Sequence, residues 1–365
     1  MRKVFEVELS SQDGLCAGLT LPAAPYALLD ALEKLRLEDG ETPQWELLRI
    51  PGCGHLSPYL DHSGTLPELN ALSQRLAELS ETEAAIVEGL AKMETPWPGT
   101  PPIPIPRLID MAYSTDRCDL VEVVWTDEQL GRFCTENGFV PEVDGLSDEA
   151  FELLDFTKIG KQFRQTEGGA FARQGYVQRH DELRQVYKTL DLTPKKPDYA
   201  ILAELADGTQ VKLPAPLGVP LADASAQCAD CAAPSLNGQT AMLSTLDLLA
   251  HRLAELEVDG ELAKCKAVLE AVRCDDVTQA LALADELDQY AFDPEVLEPD
   301  EVASGRLREL LPEEELAALL PSVNLYQYGQ KMIEQRGGKL TGYGYVQPTG
   351  PVQDMEQRTN EMELM

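Results

Sequence analysis

Residues 3–9, KVFEVEL, alternate apolar and polar side chains. That is the period of a strand with one buried face. Residues 15–21 form a candidate partner across Asp13-Gly14, a dipeptide suited to a tight hairpin turn. From 25 to 37 the period lengthens, with Tyr26, Leu28, Leu29, Leu32 and Leu35 apolar and charges between them. This spacing predicts an amphipathic helix. WELLRI at 45–50 reads as another strand, so residues 1–62 form a β-β-α-β subdomain. Residues 63–115 read as helical. Leu69, Leu72, Leu76 and Leu79 mark one apolar stripe, and Ser80 with Glu83 forms a capping box for the next helix. Six prolines in 94–106 predict a stiff extended strap, followed by a helix over 107–114. In 116–178, two helical stretches (128–135 and 148–164) precede a hairpin framed by Gly168-Gly169 and Gly175. The fold class predicted is α+β.

The pattern then recurs. LNALSQRLAEL at 69–79 returns as LDLLAHRLAEL at 246–256, and IGKQFRQTEGGAFARQGYVQ at 159–178 returns as YGQKMIEQRGGKLTGYGYVQ at 328–347. The offsets are 177 and 169 residues, in the same order. A period this long belongs to a duplicated domain rather than a solenoid unit. The expected organisation is a first copy over 1–178 and a linker over 179–198, the one locally basic stretch. A second, shortened copy over 199–347 and a polar tail over 348–365 complete it. The second copy opens with YAILAEL, Asp207-Gly208 and VKLPAPL, which repeats the strand, turn and strand of the N-terminus. An Ala-, Ser- and Cys-rich stretch at 221–240 stands where the first copy has its helix and WELLRI, so both are expected to be lost or reduced there. Helices resume at 243–256, 259–272 and 277–287.

Charge sharpens this picture. The 365 residues hold 63 Asp and Glu against 30 Lys and Arg, a formal charge of −33. Residues 1–178 carry −16 and residues 179–365 carry −17, so both copies are acidic. The first copy concentrates Asp116, Asp119, Glu122, Asp127, Glu128, Glu136, Glu142, Asp144, Asp148, Glu149, Glu152 and Asp155, opposed only by Arg117 and Arg132. The second concentrates Asp285, Glu286, Asp288, Asp293, Glu295, Glu298, Asp300, Glu301, Glu309, Glu313, Glu314 and Glu315, opposed only by Arg306 and Arg308. An ordinary surface mixes the two signs. The plain alternative is a solvated face on an acidic soluble protein. A chain this negative is repelled by nucleic acid and by anionic membranes, so direct binding to either is not expected. The carboxylates lack the spacing of a calcium loop.

Other chemistry is sparse. Cys228-x2-Cys231 has metal-like spacing, but a structural zinc needs four ligands, and Cys265, Cys274 and His251 do not supply a second close pair. His55, His62, His180 and His251 form no closely spaced ligand pair. The double glycines lack the lysine of a phosphate loop and suit tight turns better. No catalytic residue, metal or cofactor is predicted. The N-terminus lacks the apolar run of a signal peptide, and the cysteines fit reduced thiols in a cytoplasm.

Four stretches carry a resemblance to a known family: WELLRIPGCGHLSPYLD (45–61), LPELNALSQRLAEL (66–79), LIDMAYSTDRCDLVEVVWTDEQLGRF (108–133) and LLDFTKIGKQFRQTEGGAFARQGYV (153–177). These resemble the ArdA antirestriction proteins of mobile elements, most clearly the forms of Gram-positive gut bacteria. The resemblance covers most of 45–177 and, more loosely, 243–347. It implies an elongated, non-enzymatic DNA mimic built of small α/β subdomains. Such a protein occupies the DNA-binding groove of a type I restriction-modification enzyme. Tandem copies depart from the family pattern, and a single chain could stand in for the family's dimer. Two rival readings stand beside this one: an interaction adaptor that binds through apolar helix faces, and a zinc-binding enzyme.

Overall fold

The computed structural model describes residues 2–38, 40–97, 99–143, 145–216 and 221–350. The chain is a mixed α+β protein that divides into two compact units. Unit 1 comprises Met1–Ala23 and Glu38–Pro194; unit 2 comprises Ala24–Leu37 and Lys195–Met365.

Unit 1 opens with the predicted hairpin, β1 (Phe5–Ser10) and β2 (Cys16–Leu21). The next element, α1 (Pro25–Leu35), belongs to the other unit. The chain returns with β3 (Gln44–Arg49), and the sheet order is β2-β1-β3, all antiparallel. Phe5, Val7 and Leu9 alternate into the core, as the period-2 pattern requires. Helices α2 (Leu66–Glu78) and α3 (Glu81–Glu94) each begin with a full capping box, Thr65 with Glu68 and Ser80 with Glu83. The proline-rich strap is held in place as well as stiff. The Ile103 N–H donates to the Tyr59 carbonyl at 2.7 Å, and the Ile103 side chain is buried. Helix α4 (Ile105–Ala112) follows.

The acidic part of unit 1 consists of β4 (Cys118–Glu122), α5 (Asp127–Glu136), α6 (Asp148–Phe151), α7 (Phe156–Glu167), β5 (Ala170–Ala172) and β6 (Gly175–Arg179). The expected single helix over 148–164 is broken: Asp155 caps a new helix by accepting the Lys158 N–H at 3.0 Å. Its sheet order is β4-β6-β5. Helices α5 and α7 cross where Gly131 and Gly160 remove side chains from the contact. A Cβ on Gly160 would run into the Asp127 carbonyl oxygen, which is backbone and cannot swing away. Gly160→Ala should therefore cost about 1–3 kcal/mol, seen as a lowered urea midpoint. An unchanged midpoint would show that the crossing is looser than this.

Residues 179–198, expected as a linker, are largely part of unit 1. The Tyr187 phenol donates to Glu68 at 2.6 Å, and the backbone N–H groups of Tyr187 and Arg184 donate to Asp110 and Ser114. Burial works against the Glu68 charge, yet the Tyr187 and Thr65 hydrogen bonds hold its carboxyl below the usual range. Lysine and proline composition suggested a free segment. Its half-buried anchor, the Tyr187 side chain, has no periodic signal.

Unit 2 repeats both sheets. Strands β7 (Ile201–Leu205), β8 (Gln210–Leu213), β9 (Ser225–Cys231) and β10 (Thr240–Met242) pair in the order β10-β9-β7-β8. Strand β9 lies against β7 as β3 lies against β1, with a register shift at the corresponding place: between Leu202 and Ala203 here, between Glu6 and Val7 there. The WELLRI strand is thus not lost. SAQCADC replaces it, and the shared bulge preserves its geometry where the residue types have changed. Helices α8 (Leu243–Val258), α9 (Leu262–Val272) and α10 (Val277–Asp285) precede the second acidic part. That part comprises β11 (Tyr290–Asp293), α11 (Pro299–Leu310), α12 (Glu313–Leu319), α13 (Leu325–Arg336), β12 (Lys339–Thr341) and β13 (Gly344–Pro348), with sheet order β11-β13-β12. Residues 351–365 of the expected tail lie outside the described residues.

No helix lies between β8 and β9 among the described residues, and α1 packs beside β9 together with α8. The Tyr26 hydroxyl donates to the Tyr199 carbonyl at 2.6 Å and the Tyr26 N–H to Asp230 at 3.2 Å. Asp30 accepts the Tyr343 hydroxyl at 2.7 Å and pairs with Lys266 at 2.9 Å; Lys266 also reaches Glu33 at 2.6 Å. Lys34 pairs with Glu270 at 2.8 Å and lies over the Tyr343 ring. Burial pulls the Lys266 ammonium down, but Asp30 and Glu33 overcome this and hold it above the ordinary lysine value. Burial first, and then Asp30, push the Tyr343 phenol well up. The first copy's helix therefore serves the second copy's sheet. This corrects its assignment to the 1–62 subdomain.

Candidate functional site

The carboxylates predicted to matter hang on the two acidic subdomains, so their scaffolds come first. In unit 1, Val124, Leu130, Cys134 and Tyr176 form a small core beneath α5 and the sheet. In unit 2, Val302, Met332 and Tyr345 hold the corresponding place. Gly168 and Gly337 end α7 and α13 in the left-handed conformation, φ 73 and 62. The following glycines leave room for the Tyr176 and Tyr345 hydroxyls, so the doubled glycines are structural.

The acids separate by role. In unit 1, Asp127 is half-buried and takes Arg164 through two hydrogen bonds, at 2.8 and 3.1 Å. That bond outweighs burial, which works the other way, and raises the Arg164 guanidinium above its usual value. Asp127 therefore ties α5 to α7, and Asp155 caps α7. Asp116 is paired with Arg184, Asp119 lies 3.3 Å from His180, and Glu136 and Glu152 flank Arg132 at 3.9 and 3.6 Å. Glu122, Glu128, Glu142 and Glu149 are exposed and make no ion pair or hydrogen bond among the described residues. Asp148 opens α6. Asp144 lies outside the described residues.

In unit 2, Glu301 caps α11 by accepting the Leu297 and Glu298 N–H groups at 2.7 and 3.0 Å, and Glu298 is the N-cap residue itself. Asp293 accepts the Glu295 N–H at 3.1 Å. Asp285 pairs with Arg252 at 3.1 Å and Glu309 with Arg306 at 2.6 Å. Asp300 is half-buried, with one carboxylate oxygen unpartnered. Glu286, Asp288, Glu295, Glu313, Glu314 and Glu315 are exposed without an ion pair or hydrogen bond among the described residues. The last three fill the first turn of α12, where the helix dipole favours negative charge.

The charge recurs, but its positions mostly do not. Strand register and the α5–α7 and α11–α13 crossings place Asp116 and Asp288 alike, each in the turn before the first strand of its subdomain. Glu128 has the half-buried Asp300 as its counterpart, whereas Glu122 is matched by Pro294. Sequence reading also missed acid outside the blocks. Glu8 and Glu46 face each other across β1 and β3, an unfavourable like-charge pair on an exposed face.

Cys228 and Cys231 lie buried on β9, on either side of its bulge. Burial pushes the Cys231 thiol far up, opposite to what a metal ligand or a reactive thiolate needs. Among the described residues no group of three or more His, Cys, Asp or Glu is placed to hold a metal ion. Nor is any described helix long and apolar enough to cross a membrane. No family model, curated protein or solved structure matches the chain.

Proposed function

We propose that this chain is a non-enzymatic, cytoplasmic DNA mimic. It occupies the DNA-binding groove of a type I restriction-modification enzyme and needs no cofactor. One observation carries the reading: ten exposed carboxylates from Glu122 to Glu315 make no ion pair or hydrogen bond among the described residues, in or beside two subdomains of the same topology, in a chain of charge −33. Unpaired acid gathered like this opposes compaction through self-repulsion, so a basic partner is the natural recipient. Positions that differ between the units suit a partner that sums charge rather than reading a template. Such a partner meets a substitute for the phosphate ladder and releases counterions as it does on DNA.

The test is competition with DNA for a purified type I methyltransferase core. If six or more contacts are made, inhibition should fall by roughly a thousandfold or more between about 50 and 200 mM salt. Inhibition unchanged by salt would instead favour the adaptor reading. That second reading has an observation of its own. Val123, 64% exposed, adopts φ 64, unusual for a β-branched residue, beside the half-exposed Trp125.

A further inference from the structure

We propose that unit 2 carries a binding site for a small aromatic carboxylate, in a cleft between α11 and the sheet of β11 and β13. The proposal does not depend on the inhibitor reading. The cleft encloses about 320 Å³, at the lower end of the range for small-ligand sites. Phe292, Val302 and Tyr345 form its apolar floor, and Arg306 and Arg336 stand among its lining residues.

Comparison of the two units shows how the cleft arises. Tyr176 pairs with Val121 as Tyr345 pairs with Asp293, and Gly160 meets the Asp127 carbonyl as Gly329 meets that of Pro299. These matches align α5 with α11 and α7 with α13. Gly305 then stands where unit 1 has Phe133, Arg306 where it has Cys134, and Arg336 where it has Glu167. In unit 1 the Phe133 ring packs on the core and stacks with Phe139 at 6.0 Å, and Cys134 is fully buried. Tyr176 is sealed at 0% exposure, whereas its counterpart Tyr345 is 7% exposed.

Nothing in the backbone calls for glycine at 305. A Cβ there would meet no atom within 4 Å, and the residue is helical. Glycine inside a helix weakens it, so what this residue supplies is the space itself. At the corresponding position of unit 1, Phe133 supplies a phenyl ring packed on the core. The lining holds three carboxylates, Asp293, Glu301 and Glu309, and two guanidiniums, and the one guanidinium without a partner among the described residues, Arg336, points to the second half of the ligand. Arg306 is engaged by Glu309, Glu301 is spent on the helix cap, and Asp293 accepts the Glu295 N–H. Arg336 has no ion pair or hydrogen bond among the described residues. A carboxylate attached to the ring completes the fork of its guanidinium.

The test is fluorine NMR of para-fluorophenylacetate with the full chain. Wild type should broaden the ligand resonance, and Gly305→Phe, which restores the unit 1 residue, should abolish the broadening. Arg336→Glu should weaken binding about tenfold or more. Para-fluorophenethylamine, the same ring with the opposite charge, should not bind. No broadening by wild type, full broadening by Gly305→Phe, or preference for the amine would each overturn the proposal. Arg336 is exposed, so its variant and the amine decide the matter even if Gly305→Phe does not fold.

Discussion

Lys266→Ala should strongly destabilise unit 2 while leaving the stability of unit 1 unchanged. Lys266 is 6% exposed and bridges Asp30 and Glu33 of α1, and Asp30 is itself buried. Removing the ammonium leaves a buried carboxylate with the Tyr343 hydroxyl and a more distant Lys34 at 3.7 Å. Stranding one member of a buried pair typically costs about 3 kcal/mol or more, a large part of the stability of one unit. Hydrogen exchange followed by peptide is the suitable readout. Residues 24–37 should lose protection together with 199–350, while 1–23 and 38–194 keep theirs. If 24–37 instead stayed protected, or both units loosened equally, α1 would not be seated by this network. Lys266→Met combined with Asp30→Asn should recover part of the loss, because an apolar stem beside a neutral amide strands no charge.

The second large effect concerns the proposed inhibition. Replacing Glu122, Glu128, Glu142, Glu149, Glu286, Asp288, Glu295, Glu313, Glu314 and Glu315 by their amides should weaken binding to a type I enzyme by roughly a thousandfold at low salt and flatten the salt dependence. Single replacements should each change affinity by no more than a few-fold, since each contributes one contact to a sum. The multiple variant should melt close to the parent, because relief of repulsion offsets the small helix-dipole loss at the first turns of α5 and α12, where Glu128 and Glu313, Glu314 and Glu315 stand. Full inhibition by the tenfold variant would end the mimicry proposal. A parallel variant at Asp127 and Asp155 provides the contrast. Those two acids tie and cap helices, so their loss should lower stability more than affinity.

Much of the local structure could be read from the chain. The capping box at Ser80 and Glu83 forms as its spacing predicts, and the Asp13-Gly14 hairpin forms as well. Both depend on neighbours within a few residues. Reading was less successful where the partner is distant. Asp127 and Arg164 are 37 residues apart, and their pairing turned one predicted surface acid into a strut. The block of twelve acids gave no warning of this, because a carboxylate facing water and one facing a guanidinium look alike in composition. The β9 strand was missed because alanine and cysteine replace the branched and aromatic residues that signal a strand. The residue change behind the cleft beside Gly305 is visible only when the two units are aligned by register and helix crossing.

Alone, the sequence determined that the chain is mixed α and β, that its pattern runs twice, and that both halves are strongly acidic. Periodicity, caps and charge counts are local properties, and they survive unchanged into the fold. Only the tertiary structure decided which sheet α1 packs beside and which acids remain free. The apolar stripe of α1 specifies a helix with one buried face, but either sheet offers an apolar surface. The choice rests on Lys266, Glu270 and Tyr343, more than two hundred residues further along the chain.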